Sequence, residues 1–163
     1  MSNTSRFPST TQCEMTFIIM PEHLNALDSV FGGQVMAWID VCAAVSAQRF
    51  TRGEVVTASM DHLSFRAPIR KGDVAVLQAQ VNWAGLTSME VGVRVETEDL
   101  RTGRRRHTSS AYLTMVALDA SGKPTAVPQL IPQTAVETRR FEDAAHRREL
   151  RLTLRQRDNL KRR

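Results

Sequence analysis

The run GQVMAWIDVCAAVSAQRF, residues 33–50, contains no proline and is apolar around most of its circumference, the pattern of a helix buried on several sides. A lone helix of that kind needs apolar surface around it, and the rest of the chain offers strands. CEMTFII (13–19) comes before it and stops at Pro21. VVTASMDHLSF (55–65), VAVLQAQVNWAG (74–85), TSMEVGVRVETED (87–99) and HTSSAYLTMVALD (107–119) come after it, separated by the turns TRGE, RAPIRKGD and RTGRRR and closed by ASGKP. Met89, Val91, Val93 and Val95 alternate with Glu90, Gly92, Arg94 and Glu96, which predicts a strand with one buried face. One strand, one long helix and four strands on short turns exclude a βαβ array and call for antiparallel neighbours. The fold class is therefore α+β, a single domain with a curved antiparallel sheet around a long central helix. Its exposed sheet edges favour pairing of subunits.

The 163 residues suffice for one domain with its own core, and 42% hydrophobic with 24% charged residues excludes a disordered or fibrous chain. The start, MSNTSRFPSTTQCEMTFIIMP, has no basic region followed by a long apolar core. No apolar stretch approaches the roughly 18 residues of a membrane span, so the sequence reads as soluble, unexported and cytoplasmic. Cys13 and Cys42 form no CxxC or Cys/His cluster and read as reduced, small apolar side chains. His23, His62, His107 and His146 have no metal-ligand spacing. The net charge of +5 belongs to the end of the chain: residues 139–163 carry ten Lys/Arg against four Asp/Glu, leaving the remainder at −1. A near-neutral body argues against nucleic-acid binding. Residues 1–134 are expected to form the folded domain. Residues 135–163 are expected to form a basic helical extension whose thin stripe of Phe141, Ala145 and Leu152 packs lightly on the body or on a neighbour, with a polyanion-binding arm as the alternative.

Asp40 interrupts this apolar helix. An ionised, unpaired carboxylate there is costly to desolvate, and the positions one turn away are Met36, Ala37, Ala43 and Ala44, so no intrahelical ion pair relieves it. Either it is a structural aspartate hydrogen-bonded to another element, or it is a catalytic base or nucleophile. Gly32 and Gly33 stand where the helix begins, with free backbone N–H groups and no side chains to block a ligand. Such a terminus can polarise a carbonyl and hold an oxyanion, although loop flexibility or close packing would also explain two glycines. At about 1.5 Å per residue, Gly32 and Asp40 are about 12 Å apart, whereas an attacking group must lie about 3–3.5 Å from its carbonyl. If both are catalytic, two helices must contribute. A symmetric dimer would bring the glycine end of one helix to Asp40 of the other.

The segments MPEHLNALDSVFGGQVMAWIDVCAA, VVTASMDHLSFRAPIRKGD, TSMEV, YLTMVALDASGKPTAVPQLIP and RRFEDAAHRR, in this order, resemble the hotdog-fold acyl-CoA thioesterases, including the brain-type and short bacterial acyl-CoA hydrolases. The resemblance implies a hotdog domain whose basic unit is a dimer, often assembled as a hexamer (a trimer of dimers). It also implies hydrolysis of acyl-CoA to free fatty acid and CoA, with no cofactor beyond the CoA of the substrate. In the family an Asn in the loop before the glycines and an Asp in the helix act together from opposite hotdog units, and these match Asn25 and Asp40. By similarity Asp40 is general base or nucleophile, Asn25 orients water or thioester, and an N–H of Gly32 or Gly33 binds the oxyanion.

Thr87 and Ser88 fall in the family's strand beside the pantetheine arm, and Arg66, Arg70 and Lys71 flank a turn that could meet the CoA phosphates. Without the resemblance, a turn residue, a structural hydroxyl pair and solvated turn charges account for Asn25, for Thr87 with Ser88, and for the three cations. Asp28 departs from the glycine common in relatives, which puts the geometry of the Asn25 loop in question. Hotdog hydratases and dehydratases use a His with an acidic residue, and no His lies in the glycine loop or central helix at a comparable position. A non-catalytic acyl-CoA-binding or sensing protein is the other alternative.

Overall fold

The computed structural model describes residues 5–161, with side chains described as far as Arg157. The elements are β1 (Cys13–Ile18), α1 (Gly32–Thr51), β2 (Glu54–Phe65), β3 (Val74–Ala84), β4 (Ser88–Asp99), β5 (Arg104–Leu118) and α2 (Ala135–Lys161). The strands form one antiparallel sheet in the order β1-β3-β4-β5-β2. β1 and β2 occupy opposite edges, so α1, which joins them, lies across one face of the whole sheet and touches all five strands.

The core is the seam between α1 and that face. Ile39, Cys42, Ala43, Ala47 and Phe50 meet Leu77, Val91, Val93, Val95, Leu113 and Met115. The alanines let the helix sit close to the sheet, and each fully buried large side chain contributes about 1.5–3 kcal/mol. The helix ends where Arg52 takes the left-handed conformation, φ 57°, and its N–H closes on the Gln48 carbonyl at 2.8 Å.

Four expectations are corrected. First, α1 is not enclosed within one chain: Met36, Ala37 and Val41 are exposed, and Asp40 is half-buried on the same side. Second, β2 and β3 follow each other in sequence but are not neighbours. β2 pairs with β5, and the segment between β2 and β3 passes the start of α1, where Val30 N–H donates to Ile69 C=O at 2.8 Å and Ser29 bridges to Arg70. Third, Arg104, Arg105 and Arg106 belong to β5 and not to a turn. Gly103, at φ 67°, lets the chain turn tightly, and Arg105 pairs across to Glu98 at 2.9 Å.

Fourth, Glu90 breaks the expected alternation of β4 and α2 is not lightly docked. Glu90 is 0% exposed, because Arg147 of α2 covers it at 2.6 Å and Arg151 lies 3.5 Å away. Partial burial works against the Arg147 guanidinium, yet the hydrogen bond and charge of Glu90 outweigh it and hold its pKa above the usual arginine value. Ala144 is also fully buried, Arg148 lies over the Trp83 ring, and Arg151 pairs with Asp61 at 2.8 Å. α2 starts with a reciprocal cap: Thr134 Oγ1 accepts from Glu137 N–H at 3.2 Å, and Glu137 accepts from Thr134 N–H at 3.1 Å. Among the described residues no helix is long and apolar enough to cross a membrane.

Candidate functional site

The loop before α1 is pinned at both ends. Phe31 N–H donates to His23 C=O at 3.0 Å, and the His23 ring, accepting from Met20 N–H, stands edge-on to Trp38 of α1, which itself stacks on Phe17 of β1. Within the loop Asn25 Oδ1 accepts from Leu27 N–H at 2.8 Å and from the N–H and hydroxyl of Ser29, both at 3.3 Å. This is the Asn turn read from the sequence, and it occupies only the oxygen. Among the described residues the Asn25 amide NH₂ makes no hydrogen bond. Asp28 sits at φ 54°, the left-handed region that glycine enters freely and Asp tolerates. The departure from glycine at position 28 therefore leaves the turn closed.

α1 begins at Gly32 with no side-chain cap. Its first intrahelical bonds come from Gln34 and Val35, both to Phe31 C=O, so the N–H groups of Gly32 and Gly33 have no partner among the described residues. The two glycines are packed by aromatic rings. A Cβ on Gly33 would lie 2.4 Å from the Phe31 ring, and one on Gly32 would lie 3.6 Å from Phe65. Both rings are more than half exposed, so unsatisfied donors sit in an apolar, open mouth. A carbonyl entering there gains two N–H groups and the positive end of the helix dipole.

Asp40 is two turns further along and half-buried. Its Oδ1 accepts from the Thr57 hydroxyl at 2.6 Å, across from α1 to β2, and the other carboxylate oxygen has no partner among the described residues. The short bond fixes the carboxylate's rotation while leaving one oxygen open on the uncovered side of the helix. Thr57 did not emerge from the sequence; the available signal was a hydroxyl on the inward-facing side of the strand that follows the helix.

One chain thus assembles two candidate half-sites. Asn25, Gly32 and Gly33 gather at the start of α1, joined by the turn after β2: Phe65 packs on Gly32, and Arg70 bridges to Ser29. Arg66, Arg70 and Lys71 are exposed there and form no ion pair among the described residues. Arg106, also missed from the sequence, reaches the Pro68 carbonyl at 3.0 Å and adds a cation to the same turn. Asp40 and Thr57 form the second half. Thr87 and Ser88 are half-buried at the β3–β4 hairpin, two strands from β2, and Ser88 shares the α2 face of β4 with Glu90, away from Asp40. A cavity of about 500 Å³ also lies on that outer face, lined by Gln80, Asn82, Arg94, Arg140 and Arg147, and is separate from both half-sites.

Cys42 is free and buried in the core; burial, with Cys13 beside it, pushes its thiol up to about 12, so it stays protonated at neutral pH. Among the described residues no group of three His, Cys, Asp or Glu side chains is placed to hold a metal ion.

A family model for the thioesterase superfamily matches residues 27–104. The uncharacterized acyl-CoA thioester hydrolase YkhA of Bacillus subtilis (strain 168) is 41% identical over 143 residues, which cover 88% of this chain and 83% of that protein. An apo-hexameric acyl-CoA thioesterase of known structure is similar with TM-score 0.89 and 42% identity, over 91% of this chain and 96% of that one. An acyl-CoA hydrolase from Staphylococcus aureus, in complex with butyryl coenzyme A, coenzyme A and coenzyme A disulfide, is similar with TM-score 0.90 and 35% identity, over 97% and 96%. Mutants of that hydrolase with one asparagine, one aspartate or one threonine changed to alanine are similar with TM-scores of 0.91, 0.90 and 0.90.

Proposed function

The chain belongs to the hotdog-fold acyl-CoA thioesterases of the thioesterase superfamily, and from that membership we propose that it hydrolyses acyl-CoA to a free acid and CoA at a site completed by two copies. The observation that carries the reading is the division of the half-sites. Both lie on α1, so one chain holds its own Gly32 and Asp40 about 12 Å apart. A second α1 running antiparallel over the exposed Met36, Ala37 and Val41 face would bring its glycine end to Asp40 and cover that face. Edge strand β2 offers the matching seam, with unpaired backbone groups along its outer side.

In this arrangement the thioester carbonyl enters between the Gly32 and Gly33 N–H groups and the second copy's Asp40. Asp40, steadied by Thr57, removes a proton from water; the water oxygen attacks the carbonyl carbon, and the negative charge collects on the carbonyl oxygen at the helix start. Collapse breaks the C–S bond, and the CoA thiolate leaves and takes up a proton. Asn25, with its NH₂ uncommitted, orients the water or the thioester. Arg66, Arg70, Lys71 and Arg106 receive the CoA phosphates, and Thr87 borders the pantetheine arm. No cofactor or metal enters the scheme. The asparagine, aspartate and threonine altered in the S. aureus mutants are spaced along that chain as Asn25, Asp40 and Thr57 are here, which supports the choice of residues. The hexameric relative supports an assembly built from such dimers.

The test is CoA release from short, medium and long acyl-CoAs, followed with a thiol reagent toward which the buried native cysteines stay silent. Wild type should turn over, and Asp40→Ala should lose about 10³-fold in kcat while remaining folded. A folded Asp40→Ala enzyme with undiminished kcat would remove Asp40 from the chemistry. Binding of acyl-CoA without turnover by wild type would favour a sensor.

A further inference from the structure

β2 is not a regular strand. Its register against β5 pairs Thr57 with Met115 and then Ser59 with Thr114, and Met60 with Leu113 and then His62 with Tyr112, so Ala58 and Asp61 are each bulged out of the ladder. The inward-facing residues of β5 are Ser109, Ala111, Leu113, Met115 and Ala117, every second one and all buried. Opposite them on β2 stand Phe65, Leu63, Met60, Thr57 and Val55. The inward face of β2 keeps step only because a residue is added at each bulge. With one bulge lost, Thr57 and Phe65 would face opposite sides of the sheet, since a slip of one residue exchanges the faces. Thr57 donates to Asp40 in one half-site and Phe65 packs on Gly32 in the other, so the bulges hold both contributions on the α1 side.

Asp61, the extra residue of the second bulge, is also tied to the pair that closes the first. Its Oδ1 accepts from the Ser59 hydroxyl at 2.8 Å, and its Oδ2 accepts from the Thr114 hydroxyl at 3.2 Å and from Arg151 of α2 at 2.8 Å. Ser59 and Thr114 are the ladder partners directly past Ala58. Although its backbone stands at an open edge, the Asp61 side chain is only 19% exposed. Three donors therefore answer both carboxylate oxygens, one from β2, one from β5 and one from the helix that covers them. Hydrogen bonds to a charged acceptor are the stronger kind, and these lie on the outer face of the sheet, across it from Asp40.

We propose that Asp61 is a positioning residue for hydrolysis, a role that rests on the chemistry proposed above for Asp40: by clamping Ser59 to Thr114 it fixes the bulge at Ala58 and so keeps the Thr57 hydroxyl on Asp40. β2 is an edge strand, so within this chain only β5 pairs with the bulged segment. Asp61 adds the hold that the interrupted ladder lacks. Without the clamp, Thr57 swings away from the carboxylate for part of the time, and Asp40 loses the bond that sets its rotation. The substrate-binding side is anchored separately, because Arg66 N–H donates to Thr108 C=O at 2.8 Å and Leu63 packs against the core. Loss of Asp61 therefore acts on kcat and leaves KM.

Asp61→Ala is measured by CoA release from an acyl-CoA in two backgrounds, wild type and Thr57→Val. In wild type it should lower kcat by up to the roughly tenfold that the Thr57 hydroxyl is worth, with KM nearly unchanged. In Thr57→Val it should change kcat less than about twofold, whereas its shift of the urea midpoint should be the same in both backgrounds. Ser59→Ala combined with Thr114→Val loosens the same clamp while leaving the carboxylate on Arg151, and decides the matter if Asp61→Ala does not fold: a kcat loss that vanishes in Thr57→Val supports the role, and a folded protein with full kcat overturns it. Equal fold-losses in the two backgrounds also overturn it, because Asp61 then does not act through Thr57. If Thr57→Val itself keeps full kcat, the steadying of Asp40 by Thr57 fails and the role of Asp61 falls with it. If Thr57→Val loses activity and folded Asp61→Ala does not, only the role of Asp61 falls.

Discussion

Thr57 holds Asp40 with a single hydroxyl proton that has two acceptors in reach, the carboxylate at 2.6 Å and the Met115 sulfur at 3.3 Å. A thioether is a weak acceptor, so the proton goes to the carboxylate. Thr57→Val keeps the shape and removes the donor. It should lower kcat about tenfold, the value of one hydrogen bond to a charged group, with KM nearly unchanged, and Thr57→Ser should restore most of the loss. Equal kcat in the valine and serine variants would mean that the hydroxyl does not position Asp40. Asp40 itself was legible because a carboxylate with only Met36, Ala37, Ala43 and Ala44 a turn away has no local reason to be there. Thr57 was not, because its partner is on another element and only the strand pairing reveals which way its hydroxyl faces. Asn25 lies between these cases: its turn chemistry is written in ASN-type spacing to Leu27 and Ser29, but that chemistry alone says nothing of the free NH₂.

At the scale of elements, α2 is held by a buried ion pair as well as by the apolar contacts of Phe141 and Ala144. Removing Arg147 leaves Glu90 buried with only Arg151, at 3.5 Å, to answer it. Arg147→Ala should therefore cost on the order of 3 kcal/mol in a urea melt, whereas replacing both partners, Glu90→Leu with Arg147→Met, should be nearly neutral. Equal destabilisation in the single and double variants would mean that the ion pair is not what docks the helix. The same pair explains a limit of sequence reading. Periodicity located α1 to within a residue at each end and found every strand, since each of those signals is local. It assigned Glu90 to solvent because the covering arginine is far along the chain, and it made β2 and β3 neighbours because a short connection hides the crossing past the start of α1.

At the scale of the molecule, each chain leaves open one face of α1 and one long edge strand, and the two meet where Asp40 accepts from Thr57 of β2. The turn at residues 66–71 places exposed cations beside the other end of α1. Replacing Arg66, Arg70 and Lys71 together with alanine should raise KM for an acyl-CoA about tenfold and leave an acyl-pantetheine, which lacks the nucleotide, unaffected. The acyl-CoA KM should also rise with salt, since exposed charges are screened within about 8 Å at physiological ionic strength. Equal losses on both substrates would place the phosphates elsewhere. The claim on which all of this turns is that Asp40 works with the Asn25 and glycines of a second copy. The most direct measurement is complementation: Asn25→Ala and Asp40→Ala are each assayed alone for CoA release, then mixed under conditions of subunit exchange. Each variant should be nearly inactive alone, and every mixed dimer should regain one intact site of two. If the mixture stays as inactive as its parents although exchange is verified, Asn25 and Asp40 act within one chain and the shared site is contradicted.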